Sequence, residues 1–379
     1  IVSAGENTRR FAAECVTDIG MNSILAEYHR ELLEQYNVFF TDISYGTQVI
    51  AYENMTEHLK NYINHNLQGD DLFMQGVYGN LIHMELDNIA VNGALSACEE
   101  GGISLRRQAV DAIKQDVGIT YLEKTGDWLA TLQRSGIMDI NLLEKQKEAE
   151  KKVVELTGKK MGTLFEEEEH EAGILNLVAD REELSSREIT LSQYASHRVH
   201  FESGGLSVPE SYADDFWDEL FFHEYLMSYT GHYGEENSGS TYEKKFGLEY
   251  ETEYLLAGKA KDIDNLKADA GQILAIRGGA NLIALMQDEG KKQYVQILAF
   301  SMASLLGIPE AEEVLEELLK IIWAMAEALY DVTILLQGGR IPVIKQPEEW
   351  HYSMENALNF VRPETGQTKI TDGLSYEDY

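Results

Sequence analysis

The run PEAEEVLEELLKIIWAMAEALYDVTILLQGG, residues 309–339, decides most of the fold. Pro309 sits at a first helical turn, where its missing N–H costs nothing. Gly338 and Gly339 stand just past the end, where a left-handed residue stops a helix. Between them, Ile321 to Leu336 is almost continuously apolar, interrupted only by Glu327 and Asp331. Two charges in such a run argue against a membrane span and for a helix buried in a protein core. Working outward, helical spacing recurs over Asp262 to Arg277, Asn281 to Met286 and Lys292 to Leu306, so the C-terminal third reads as a packed set of helices.

The N-terminal part reads differently. Phe11, Cys15, Ile19, Leu25, Tyr28, Leu32 and Tyr36 recur every three to four residues and predict one long amphipathic helix over 6–36, stopped by Asn37. Val38-Phe39-Phe40 with Ile43 suggests a short buried strand, and a second helix follows over 49–66. Alternating apolar residues over 81–97 predict a strand or hairpin, and 246–256 a further strand closed by Gly258. Ser104 is placed to cap a helix over 105–117, and another helix is expected over 121–133. Helices outnumber strands, and the two do not alternate. The expected fold class is therefore α+β, predominantly helical with a small sheet and a long amphipathic N-terminal helix. One compound domain over 1–379 is expected, with the highly charged 141–209 region as a helical insertion or arm.

The chain carries 31 basic and 65 acidic residues, a formal net charge of −34. Nucleic-acid binding needs a basic stripe. The doublets Arg106-Arg107, Lys151-Lys152 and Lys159-Lys160 stand isolated among acids, so no nucleic-acid partner is expected. Basic protein surfaces or divalent cations are the natural counterparts of such a surface, although charge of one sign also serves solubility alone. Cys15 and Cys98 belong to no C-x-x-C pair, and a disulfide between them and two separate thiols both stay open. The chain begins with Ile, so a signal or anchor segment is expected ahead of it.

The motifs of chemistry are mostly absent. Gly258-Lys259 lacks the upstream glycine of a phosphate loop, because position 253 is Glu. Gly205-Leu206-Ser207-Val208-Pro209 fails the nucleophile elbow at its last position. One constellation carries a candidate metal site: His197 and His200, three apart, with His223, Glu224 and His232 further on. Two histidines plus a third or a carboxylate hold Zn²⁺ and leave a position for water. The aromatic segment 212–233 supplies a second alternative, a ligand-binding module, if its rings line an open cleft rather than pack in a core.

Several stretches carry a resemblance. They include Ala26-Glu27-Tyr28-His29-Arg30-Glu31, Arg107-Gln108-Ala109-Val110 and Glu253-Tyr254-Leu255-Leu256-Ala257-Gly258-Lys259. Asp264-Asn265-Leu266, Trp323-Ala324-Met325-Ala326-Glu327, Gly338-Gly339-Arg340-Ile341-Pro342 and Gly373-Leu374-Ser375-Tyr376-Glu377-Asp378-Tyr379 complete the set. Together they resemble a bacterial domain family of unknown function from Gram-positive anaerobes, associated with tight-adherence (Flp-type) pilus components. The resemblance implies a non-enzymatic protein on the extracytoplasmic face of the membrane, held by a single N-terminal anchor. It implies other surface or pilus-assembly proteins as partners, no cofactor and no small-molecule substrate. The alternative is a metal-dependent cell-envelope hydrolase using His197, His200, His223, Glu224 and His232.

Overall fold

The computed structural model describes residues 2–47, 49–68, 84–91, 95–116, 126, 130–131, 134–137, 140–158, 184–190, 216–234, 247–358 and 373–379. These divide into two compact units, one of residues 1–117 and 198–225, the other of 118–197 and 226–379.

In the first unit, α1 (Val2–Leu25) and α2 (Arg30–Tyr36) replace the single long helix expected over 6–36. The break falls where His29 accepts from the Leu32 N–H through Nδ1 at 3.2 Å, capping α2. Asn37 does stop α2, in the left-handed conformation, with its N–H on Leu33 O. Helix α3 (Tyr52–Gln68) packs along α1 at Gly20, where an added Cβ would lie 3.0 Å from both Leu59 and Ile63. Helix α4 spans Ile103–Asp116; it begins at Ile103, so Ser104 lies inside it rather than capping it.

In the second unit, α5 (Leu142–Thr157) follows its cap Asn141, whose side chain accepts from Glu144 N–H at 3.1 Å. Helix α6 spans Phe216–Tyr229 and bears the described part of the aromatic segment. Then come α7 (Glu251–Ala257), α8 (Asp262–Gln287), α9 (Glu289–Leu306), α10 (Glu312–Leu336) and the short α11 (Met354–Leu358). Helix α10 is the axis. Leu315, Leu319, Ala324, Ala328 and Val332 are fully buried, and α8, α9 and α5 lie against it. Ala299 and Ala303 of α9 and Ala324 and Ala328 of α10 are small residues of this core, and Ala328 lies against Gly278 of α8. The two helices expected over 262–286 are one, continuous through Gly278. An added Cβ there would lie 2.8 Å from Leu142 Cδ2 and 2.9 Å from Met325 Sδ, so this glycine marks close packing rather than a break. Within the 141–209 region, Leu142, Ala149 and Val153 of α5 belong to the main core.

The expected sheet is a correction. Among the described residues there is no strand, only three isolated antiparallel bridges, Tyr28 with Thr41, Glu188 with Lys261 and Ile341 with Leu374. The fold is helical. At 38–43 Val38 is buried, Phe40 and Ile43 are half-buried and Phe39 is exposed. Phe40 O accepts from His29 N–H at 2.7 Å, but the polar partner of Phe39 is a side chain. The Gln108 amide accepts from Phe39 N–H at 2.6 Å and donates to Phe39 O at 3.1 Å, filling the role of a neighbouring strand. At 246–256 the Asp262 carboxylate accepts from Glu249 N–H at 2.9 Å and Tyr250 N–H at 3.1 Å. It thereby satisfies amides at the head of α7, whose first turn also carries Glu251 and Glu253. Residues 84–91 are irregular, and the rest of the expected 81–97 hairpin lies partly outside the described residues, as does nearly all of the helix expected over 121–133.

Candidate functional site

His197 and His200 lie outside the described residues. His223 and Glu224 are half-buried in the middle of α6, and His232 follows its end with Nδ1 3.1 Å from Tyr233 O. Among the described residues, no three His, Cys, Asp or Glu side chains come together to hold a metal ion. The described aromatics of 212–233 are packed. Tyr225 is buried with its hydroxyl donating to Tyr36 O at 2.5 Å, and Phe222 stacks on it at 6.2 Å. Tyr233 donates to Leu336 O at 2.9 Å and meets Tyr250 and Tyr376 edge-on. Cys15 and Cys98 are free thiols.

The charges that interrupt α10 are the centre of the second unit. Asp331 Oδ2 accepts from Arg277 Nε at 3.0 Å, from its Nη2 at 2.8 Å and from Asn281 Nδ2 at 2.9 Å. Arg277 Nη1 donates to Pro342 O, Val343 O and the Tyr379 hydroxyl at 2.8–2.9 Å. Lys345 bridges Asp331 Oδ1 and Glu327 Oε1. Glu327 also accepts from the backbone N–H of His351 at 3.1 Å and of Tyr352 at 2.8 Å. Arg277, Asp331, Lys345 and Glu327 are all wholly buried, and two cations face two anions. Burial pushes the Glu327 carboxyl up, but the bonds from His351 and the Lys345 charge outweigh it and hold it below its usual value. Burial works against the Arg277 charge, and Asp331 beside it more than restores it. This network ties α8, α10 and the 340–352 loop together, with its charges directed at one another.

A smaller cluster sits in the first unit at the break after α1. Glu27 accepts from the Tyr62 hydroxyl at 2.6 Å and the Tyr45 hydroxyl at 2.9 Å, and lies 2.9 Å from His58 Nδ1. Burial raises its carboxyl, and the Tyr62, His58 and Tyr45 bonds bring it below the ordinary value. Sequence reasoning missed it because its members come from three separate segments.

The feature turned toward solvent is on α9. Its inner face buries Val295, Ala299 and Ala303, while Tyr294, Ile297, Phe300 and Leu305 are 50%, 64%, 58% and 88% exposed. Tyr294 and Leu305, eleven residues apart, share one side of the helix, and Ile297 and Phe300 follow round from it, with Ser301 and Ser304 between them. The Tyr294 ring also meets Trp323 of α10 edge-on. Single exposed apolar residues are ordinary, but a stripe of large ones marks a contact surface. The signal was present in the sequence: α9 is apolar on both faces, and only one can be core.

No curated protein and no solved structure matches the chain. A family model described as Family of unknown function (DUF5702) matches residues 145–379, from α5 through the buried network and α9 to the last residue, which is more than half of the sequence. The chain belongs to that family.

Proposed function

We propose that this protein is a non-enzymatic component of a surface pilus, adhesion or secretion assembly, displayed on the extracytoplasmic face of the membrane. In this reading it docks a partner through the outer face of α9. The observation that carries the proposal is the exposed Tyr294, Ile297, Phe300 and Leu305 stripe. The resemblance to a pilus-associated family supports the setting. No described helix is long and apolar enough to cross a membrane, so anchoring in this reading falls to a segment outside the described residues.

Charge selects the occupant. Lys291 pairs with Asp288 at 2.7 Å and Lys292 with Glu289 at 2.5 Å, so the cations at the head of α9 are locally neutralised. Glu316, itself paired with Lys320, reaches Gln296 at the stripe's edge, and Glu310 on the turn that follows α9 and Glu313 in the first turn of α10 are exposed. A second copy would carry the same net charge of −34. A basic amphipathic segment of another assembly protein is complementary in both respects. The test places a photoreactive residue at Ile297 in cells carrying the assembly, beside an Ile297→Asp strain. Cross-linking to a Lys- or Arg-rich segment of an assembly component, with assembly lost in Ile297→Asp, is expected. Cross-linking to a second copy, or normal assembly in Ile297→Asp, overturns the proposal.

The metal-dependent hydrolase remains the alternative reading, and metal analysis of protein purified without chelators separates the two. Stoichiometric bound zinc would favour the histidines.

A further inference from the structure

The 373–379 segment is tied to the rest of the second unit by several bonds, among them Arg340 Nη1 donating to Gly373 O at 3.1 Å. Leu374 and Ile341 exchange backbone hydrogen bonds of 2.9 and 2.8 Å. The Tyr379 hydroxyl accepts from Arg277 at 2.9 Å. Between these, the Tyr376 hydroxyl lies 2.9 Å from Glu253 Oε1 on α7 and 2.6 Å from Asp269 Oδ2 on α8.

The protons at the middle attachment do not balance for two ionised carboxylates. A phenol carries one proton and donates to one acceptor. Whichever carboxyl lacks it meets Tyr376 oxygen to oxygen, and that contact is attractive only if the carboxyl supplies a proton of its own. Glu253 Oε1 also accepts from Tyr233 N–H at 2.7 Å, while Glu253 Oε2 is buried without a hydrogen-bond partner. Such an orphaned oxygen is costly if it carries charge. We infer that Glu253, Asp269 and Tyr376 form a proton-operated latch, in which one proton shared by the carboxyl pair ties the 373–379 segment to α7 and α8 and its loss releases the segment.

The surroundings supply little to neutralise a second charge. On α8, Lys267 pairs with Asp264 at 3.6 Å and Arg277 is held by Asp331. Lys345 lies between Asp331 and Glu327, Arg340 is 3.7 Å from Asp378, and Lys259 stands exposed after α7. The remaining groups these elements carry are acidic or neutral. Glu251 accepts from Gly231 N–H, Asp262 from Ser185 and two backbone amides, and Tyr233, Tyr250 and His232 close the loop side. Burial accordingly pushes both carboxyls of the pair up, and the Tyr376 phenol well up. The pair titrates as a unit.

The sign follows from the raised carboxyls. The folded, latched state binds the proton more tightly than the released state. Attachment is therefore complete below the ordinary carboxylate pKa and weakens as pH rises toward and through the raised value of the pair. This regulation would act whether or not α9 is the docking face.

Hydrogen exchange of the full chain, corrected for intrinsic rates, tests it at the Leu374 and Ile341 amides between about pH 5 and about pH 8. Protection is expected to fall about ten-fold per pH unit within the linkage window, and to become flat in Asp269→Asn and Glu253→Gln. Equal protection across the range in the wild type, or an undiminished slope in both variants, overturns the latch. Infrared spectroscopy of the wild type gives an independent reading that needs no variant to fold. A protonated-carboxyl band that fades with rising pH in step with the loss of protection is expected, and its absence across that window overturns the proposal.

Discussion

Lys345→Met is the substitution that tests the buried network most sharply. Methionine keeps most of the side-chain length but removes the charge that contacts both Glu327 and Asp331. Glu327 retains the N–H groups of His351 and Tyr352, and Asp331 Oδ2 retains Arg277 and Asn281. Asp331 Oδ1 loses its cation, and four wholly buried groups go from neutral to one net negative charge. Breaking a buried pair in this way costs about 3–5 kcal/mol. At roughly 2–4 °C per kcal/mol for a unit of this size, the second unit should melt roughly 6–20 °C lower. Thermal unfolding followed by near-ultraviolet circular dichroism reads this directly. Adding Glu327→Gln removes the excess charge, so the double variant should recover part of the loss rather than add to it. The pH dependence has a definite sign. Glu327 sits below its ordinary value in the fold, so its pairing stabilises above the unfolded carboxylate pKa and fades as pH falls through the folded one. The gap between wild type and Lys345→Met should therefore narrow in acid. A loss under about 1 kcal/mol, or a double variant with fully additive loss, would refute the reasoning, because such small or independent effects belong to solvated charges.

Further outcomes follow from the same geometry. Gly373→Ala places a Cβ 2.3 Å from the Ile341 carbonyl carbon at a φ of +124°. It should free the 373–379 segment at every pH, seen as lost protection of the Leu374 amide without global unfolding. Leu319→Ala, at a fully buried position on α10, should cost about 2–5 kcal/mol in denaturant unfolding. Ile297→Asp, on the exposed face of α9, should change stability by no more than about 0.5 kcal/mol while abolishing assembly. Glu27→Gln in the first unit replaces an acceptor of two tyrosine hydroxyls and should cost about 1–3 kcal/mol, with the loss shrinking as pH falls.

How much of this was legible in the sequence depends on whether the deciding contact is local. Pro309 and the Gly338-Gly339 pair bracketed α10 correctly because caps and breakers act within a turn or two. Asn37 stopped α2 for the same reason. The strands expected at 38–43 and 246–256 failed because an apolar run does not name the hydrogen-bonding partner of its backbone. At Phe39 the partner is the side chain of Gln108, and at Tyr250 it is the carboxylate of Asp262. Neither has a spacing that a pattern can detect. Glu327 and Asp331 were visible as interruptions of an apolar helix, and that was enough to exclude a span. Their meaning needed Lys345 and Arg277, 14 or more residues away from either acid along the chain. A buried acid on a core helix thus announces in sequence that a cation must exist, while its identity waits for the fold. Glu253 is the instructive exception. It too is buried, but its neighbours are another acid and a tyrosine, so what it requires is a proton. The same residue type in the same helical core therefore divides into two kinds. Glu327, met by lysine, holds its charge and cements the unit. Glu253, met by Asp269, shares a proton with it and makes the attachment of 373–379 conditional on pH.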